Sequence, residues 1–301
     1  NDCVGISGPI VDIVNNLDDE VDVVISGHTH QPYNCVIDNK IVTSAFSFGR
    51  LVTKIDLTID RRTRDVVSMV ADNRIVTRDV PKDSLLTDLI AKYQAIAAPL
   101  ENRVIGSITA DITRTTNAAG ESPLGDVIAD AQLDATNDPG FGEAVVAFMN
   151  PGGIRADLTY AGSSAGEGDG NVTYGELFTV QPFGNSLVTM TLTGAQIDTL
   201  LEQQFVGCGQ TDRDRILQVS EGFTYSWSLS APACNKVDPA AIMINGVPVD
   251  PAASYRVTVN SFLADGGDRF SVLVQGTNRL GGDVDVDALE KYITANLQVT
   301  H

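Results

Sequence analysis

Basic residues are scarce. Twenty Lys and Arg stand against 39 Asp and Glu in 301 residues, a formal net charge of −19. That balance argues against nucleic acid and anionic membrane surfaces as partners. It also means that an anionic small ligand must be met by locally placed arginines or by a metal. Histidine is scarcer still, with three residues, His28, His30 and the terminal His301. So few imidazoles, so placed, weigh against a Ser-His-Asp or Cys-His triad. No apolar run approaches the ~18 residues of a membrane span, and no signal-peptide pattern is present. No internal repeat occurs. The chain opens Asn1-Asp2-Cys3 without an initiator methionine, which reads as a processed product or a cut from something longer. Cysteines number four and show no CxxC spacing. An even count suits two disulfides, Cys3–Cys35 and Cys208–Cys234, and an oxidising compartment, so a secreted, periplasmic or cell-surface protein. Four reduced core cysteines are the alternative.

What is present is ordinary globular material, 43% hydrophobic and 20% charged, enough for one large or two ordinary domains. Pro9 at a first helical position precedes Ile10, Ile13, Val14 and Leu17 at helical spacing, and Val21–Ile25 reads as a buried strand. From Ile41 to Ile75 the pattern is strand-like. Pro81-Lys82-Asp83 introduces a helix with Leu85, Leu86, Leu89, Ile90, Tyr93, Ile96 and Ala97 on its apolar side. A second domain starts near Val104 with a strand over Ile108–Ile112. Ser122-Pro123 caps a helix whose Asp126, Asp130 and Asp134 read as a solvated face. Glu167–Glu176 matches much of an EF-hand loop, but Ala165 falls at the first ligand position, so a Gly-rich loop leading to a strand over Val172–Tyr174 is the simpler reading. Ser186–Leu192 is a strand, and Thr193-Gly194-Ala195-Gln196 a capping box. Arg215–Ser220, Phe223–Leu229 and Ala241–Val249 read as further strands. Tyr255, Val257 and Val259 alternate, and Asp287 caps a last helix carrying Leu289, Tyr292, Ile293 and Leu297.

Three loops carry chemistry. The apolar run Ala144–Met149 ends in Asn150-Pro151-Gly152-Gly153-Ile154-Arg155. Gly152 and Gly153 remove two Cβ atoms, so a ligand or another backbone can come close to the main chain. Arg155 offers five donors in a fixed fork suited to phosphate or a diol. By itself the stretch is equally a structural turn with a solvated arginine. The second loop is Gln181-Pro182-Phe183-Gly184-Asn185, and the third runs from Asn260 through Phe262 to Asp268. Together they supply two aromatic faces, an aspartate and arginines, an inventory that suits a nucleoside. Base stacking is worth roughly 1–3 kcal/mol, and a carboxylate can accept from both ribose hydroxyls.

On these motifs and their order the sequence resembles the 5'-nucleotidase family in its C-terminal substrate-binding domain. The resemblance implies Phe183 and Phe262 as the base-stacking pair and Asp268 as the ribose ligand. It implies Asn150, Arg155 and, less directly, Arg114 as nucleotide contacts, with Gly152, Gly153 and Asn185 in the same binding loops. Ser26-Gly27-His28-Thr29-His30 resembles the last metal-binding motif of a metallophosphoesterase domain, where each histidine serves one ion of a pair such as Zn or Mn. The earlier ligands of that centre are then expected upstream, in a missing N-terminal metallophosphoesterase segment, so this chain alone is expected to be inactive.

The expected fold is α/β to α+β. Residues 1–80 would be a truncated metallophosphoesterase β-sandwich remnant, 81–103 a linker helix that in the family acts as a pivot, and 104–301 a mixed α/β nucleotide-binding domain. The expected activity is two-metal hydrolysis of 5'-nucleotides or related phosphate esters, with this chain gripping base and ribose. Alternatives left open are a non-catalytic nucleoside-binding module, a relative acting on another anionic ester as sulfur-oxidation enzymes of this fold do, and a secreted structural domain.

Overall fold

The computed structural model describes residues 3–162, 165–296 and 298–299, the last pair as backbone only; Leu297 and His301 lie outside the described residues. The chain divides into two compact units, residues 1–89 and 90–301.

In the first unit, α1 (Pro9–Asn15) has proline at its first turn, where the missing N–H breaks no hydrogen bond. Strands β1 (Val23–Ser26), β2 (Pro32–Ile37) and β3 (Lys40–Ala45) form a sheet of order β1-β3-β2. β1 lies parallel to β3, and β2 antiparallel to it. Asp38 and Asn39, both left-handed, close the two-residue β2–β3 turn, as residue types that tolerate positive φ should. The Cys3–Cys35 disulfide joins Val14 and Val42 in a small core. Strands β4 (Leu51–Ile59) and β5 (Val66–Ile75) pair as a long hairpin. Asn73 Nδ2 donates to the carbonyls of Tyr33 (3.0 Å) and Ser44 (3.1 Å), tying that hairpin to the first sheet.

The helix expected after Pro81 is α2 (Ser84–Glu101). Its apolar stripe is not packed: Leu85 is 79% exposed and Tyr93 62%, and none of its residues is buried.

The second unit is a mixed α/β fold. Its elements are β6 (Val104–Ile108), α3 (Pro123–Asp134), β7 (Val146–Met149), β8 (Asn171–Thr173), α4 (Tyr174–Val180), β9 (Ser186–Thr193) and α5 (Gly194–Glu202). Short strands β10 (Gln218–Val219), β11 (Phe223–Thr224), β12 (Met243–Ile244) and β13 (Val247–Pro248) follow. The chain continues as β14 (Ser254–Asn260), α6 (Ser261–Ala264), β15 (Thr277–Val284), α7 (Asp285–Ala295) and β16 (Gln298–Val299). The main sheet has the order β10-β7-β14-β9-β15, with β7 and β14 parallel and the other pairs antiparallel. Val146, Phe148, Val257 and Val259 join the cluster built on α5, while Met149 joins the one built on α3. The sheet therefore buries both faces, as alternating side chains on a covered sheet require.

Local signals explain the main helices. Ser122 Oγ accepts from the Gly125 N–H, and the Thr193–Gln196 capping box is present in full. Other expectations shift. The strand placed at Ile108–Ile112 ends at Ile108, and Ile112 makes only a bridge to Leu158. Ala241–Val249 is a hairpin, because Asn245-Gly246 adopts positive φ at both positions and forms a two-residue turn. Tyr174 begins α4 instead of ending a strand; Glu176 is spent in a capping box with Thr173, which removes it from any EF-hand reading. Asp287 is not the last helix's cap, since α7 starts two residues earlier and Asp287 sits in its first turn. The acidic stripe on α3 is not a solvated face. Asp126 and Asp130 are half-buried, Asp130 Oδ1 accepts from the Glu221 N–H at 2.6 Å, and only Asp134 is exposed. Burial, with Glu121 and Asp130 nearby, pushes Asp126 up to about 6.

Candidate nucleoside-binding site

Register decides where the loops meet. Val259 of β14 pairs with Phe148 of β7, Asn260 with Leu187 of β9, and Gln218 of β10 with Met149 of β7. The segments after β7 and β14 and those before β9 and β10 therefore leave one edge of the sheet. That edge is the carboxyl end of the parallel pair, where α/β sheets place their ligands.

Asn150, at the end of β7, is buried, and its amide is fixed at both ends. Its Nδ2 donates to Asp268 Oδ2 at 2.9 Å, and its Oδ1 accepts from Asn260 Nδ2 at 3.0 Å. Asn260 also caps α6, its Oδ1 accepting from the Leu263 N–H. The two amides form a ladder under Asp268, so Asn150 serves the protein as well as facing the edge. Asp268 has φ 50° and ψ 25°, a left-handed conformation that costs an L residue roughly 1–2 kcal/mol.

Gly267 explains how the Phe262 ring sits. A Cβ there would lie 2.5 Å from the Phe262 carbonyl oxygen and 2.6 Å from the ring's Cδ1. Phe262 is 46% exposed and Phe183 56% exposed. Neither ring is sealed in the core. The Arg155 guanidinium carbon lies 5.5 Å from the Phe183 ring centroid, and Arg155 NH1 donates to the Gly152 carbonyl at 3.1 Å. Gly152 is open: a Cβ there would stand 3.6 Å from Asp268 Oδ2, an ordinary van der Waals distance. Gly153 is closed, its Cβ position overlapping the end of Met149. Asn185 ties the second loop down: its Nδ2 donates to Asp285 Oδ2 at 3.2 Å, and its Oδ1 accepts from Ser261 Oγ at 3.5 Å. A chain of contacts thus runs from Phe183 through Arg155, Gly152, Asn150, Asp268 and Gly267 to Phe262, and the Asn185–Ser261 bond also joins the two loops.

Arg114 comes to the same segment by the Ile112–Leu158 bridge. Its N–H donates to Asp157 Oδ1 at 2.8 Å and its NH1 to the Ile154 carbonyl at 3.3 Å. Four residues of the edge carry no site role from sequence: Asn260, Gly267, Gln210 and Arg215. Arg215 Nε lies 3.6 Å from Asp268 Oδ1, and Gln210 Nε2 donates to the Asp268 carbonyl at 2.7 Å. In the sequence Arg215 opens an apolar strand and gives no sign of reaching Asp268.

His28 and His30 lie in the first unit, on the exposed loop after β1, both with positive φ. The His30 ring meets Phe48 edge-on at 5.6 Å. Among the described residues no group of three or more His, Cys, Asp or Glu is placed to hold a metal ion. Two imidazoles alone do not fit a divalent-metal centre, which needs further ligands. Both expected disulfides are formed, Cys3–Cys35 and Cys208–Cys234. No helix among the described residues is long and apolar enough to cross a membrane.

Comparison with known proteins identifies the family of the chain. Residues 104–275 match the family model described as 5'-nucleotidase, C-terminal domain. The chain is 30% identical over 291 residues to Endonuclease YhcR of Bacillus subtilis, covering 96% of this chain and 22% of that protein. It is 30% identical over 303 residues to Cell wall protein Lmo0130 of Listeria monocytogenes, covering 97% of this chain and 38% of that one. The crystal structure of a 5'-nucleotidase precursor from Thermus thermophilus superposes with a TM-score of 0.64 at 28% identity, over 93% of this chain and 57% of that chain. The chain thus spans well under two thirds of each of these proteins. With the matched family model covering more than half its length, the chain belongs to the 5'-nucleotidase family, through that family's C-terminal domain.

Proposed function

We propose that this chain grips the nucleoside part of a 5'-nucleotide, or of a related phosphate ester, for a protein that hydrolyses it to nucleoside and phosphate. Phe183 and Phe262 clamp the base, Asp268 accepts from the ribose hydroxyls, and Arg155 with Arg114 meets the phosphate side. Gly152 leaves the main chain open beside Asp268, while Asn150 and Asn185 hold the loops. The observation that supports this reading best is the shared sheet edge. Two half-exposed phenylalanines from loops far apart in sequence leave it beside one carboxylate and an arginine. Arg155 places a guanidinium at this edge in a chain whose net charge is −19.

Hydrolysis belongs to this proposal as a property of the whole protein. His28 and His30 would give two imidazoles to a two-metal centre, and by themselves they do not make a site. Residues 1–80 are read as part of a metallophosphoesterase β-sandwich and 81–103 as a linker helix, ahead of a nucleotide-binding domain over 104–301. Support for the first of these is uncovered apolar surface, including Val52, Ile59, Val67 and Val70 on the β4–β5 hairpin. A secreted, periplasmic or cell-surface location fits the two disulfides. A structural domain without a ligand is the second reading, favoured only if the rings bind nothing.

Titration calorimetry of the 301-residue chain with adenosine and AMP is the test. Binding of both is expected, with negligible AMP turnover in added Mn or Zn. Heat-silent titrations with every common nucleoside would remove the proposal.

A further inference from the structure

We propose that Arg215 and Gln210 are positioning residues that set the Asp268 carboxylate for a ribose diol, an inference that rests on the nucleoside reading above. Three observations carry it. Gln210 is 1% exposed and both ends of its amide are engaged. Its Nε2 donates to the carbonyls of Gln203 (2.9 Å) and Asp268 (2.7 Å), while its Oε1 accepts from Arg215 NH1 at 2.5 Å. At that depth no water replaces a lost partner, so the Gln210 amide holds the Asp268 main chain directly.

Arg215 is the other half of the brace. Its NH1 and NH2 donate to the two oxygens of Asp212 at 2.8 and 3.1 Å, and its Nε stands 3.6 Å from Asp268 Oδ1. With its terminal nitrogens committed to protein, Arg215 acts on the ligand through Asp268. Its hydrogen bonds to Asp212 raise its pKa above the ordinary arginine value against partial burial, and the charges of Asp212 and Asp268 add to that. The cation is permanent.

The segment carrying both residues is itself pinned. Cys208, two residues before Gln210, is bonded to Cys234, the Gly207 N–H donates to the Gln210 carbonyl at 3.0 Å, and the Arg215 N–H donates to the Gln204 carbonyl at 2.7 Å. Asp268 sits on a short 3-10 turn with positive φ at both Asp268 and Arg269, so contacts from outside the turn set where its carboxylate stands. Without the brace the carboxylate is free to turn away from Asn150.

The experiment compares adenosine with 2',3'-dideoxyadenosine by calorimetry on the full chain. Wild type should prefer adenosine by about 10-fold or more, the worth of hydrogen bonds to a charged group. Arg215→Met should lose most of that preference, with a much smaller loss of dideoxyadenosine affinity than of adenosine affinity, Arg215→Lys should restore part of it, and the exposed Arg213→Met should change neither. Amide hydrogen exchange of the unliganded Arg215→Met protein should speed up across Gly267–Phe270. An unchanged preference, an equal loss for both ligands, or unchanged exchange overturns the positioning role. Failure of wild type to bind either nucleoside overturns the nucleoside reading, and the ribose role with it; the exchange measurement then still reports whether Arg215 holds Asp268.

Discussion

Asn150 and Asp268, 118 residues apart in sequence, are joined by a hydrogen bond of 2.9 Å from the Asn150 amide nitrogen to Asp268 Oδ2. The bond brings the loop after β7 to the loop after β14. It exists because those two strands are parallel neighbours whose ends coincide.

Cutting it should cost stability as well as binding. Asn150→Ala leaves the buried Asn260 Nδ2 without this partner, a loss of about 1–3 kcal/mol, while the partly exposed Asp268 Oδ2 takes water instead. Chemical denaturation should show that loss. Asn150→Asp should be worse, since it sets a second carboxylate against Asp268. An Asn150→Ala protein as stable as wild type would mean that the ladder is idle.

Phe183→Ala separates binding from folding. The ring is 56% exposed, so its removal should shift the unfolding midpoint little. Adenosine affinity should fall by about 5- to 100-fold, the range that base stacking supplies. Asp126→Ala, on α3, should leave affinity near wild type. Equal losses in the two variants would count against Phe183 as a stacking partner.

Gly267→Ala tests the close approach behind Phe262. The added methyl meets the Phe262 carbonyl and ring, so the ring has to move. Nucleoside affinity should drop while the core stays folded, as judged by circular dichroism. Gly152→Ala, whose methyl meets only ordinary contacts, should fold as wild type does.

Asp126 makes a pH prediction with a definite sign. Its pKa in the fold is raised to about 6 by burial, with help from Glu121 and Asp130. A raised carboxyl favours the protonated form, so its contribution to stability is full below the unfolded value near 4. That contribution is lost as pH rises through about 6. Asp126→Asn should therefore be more stable than wild type at pH 8 and little different at pH 4. Denaturant midpoints at the two values decide it; the same offset at both would overturn the assignment.

The Cys208–Cys234 bond closes a segment of 26 residues, and removing such a link costs about 2–4 kcal/mol. The paired Cys208→Ser, Cys234→Ser variant should lose that much in denaturation of residues 90–301. Thiol titration of the unfolded, unreduced protein should find no free thiol.

Much of the architecture could be read from local pattern. The alternation over Ser186–Leu192 and at Tyr255, Val257 and Val259 marked two strands of the main sheet. Ser122 and Thr193 marked helix starts, because a side-chain oxygen three residues ahead of a free N–H is a strictly local device. The misreadings have identifiable causes too. Asn245-Gly246 splits an apolar run that looks continuous, and α7 starts at Asp285 behind Val284, whose side chain makes no cap, so no local capping signal marks its start. Asp126 and Asp130 have the spacing of a wet helix face, yet both are half-buried and the Glu221 main chain meets Asp130.

The sequence by itself pointed to the family, to two disulfides between neighbouring cysteines, to three loops proposed to bind a ligand, and to a shortage of histidine. Those follow from residue types and their order along the chain. Only the tertiary structure decided that Arg215 and Gln210 stand behind Asp268, and that Asn150 is fixed between Asn260 and Asp268. The reason is register. Which side chains meet across a sheet edge depends on strand pairings between segments tens to more than a hundred residues apart, and a slip of one residue would turn each of them to the opposite face.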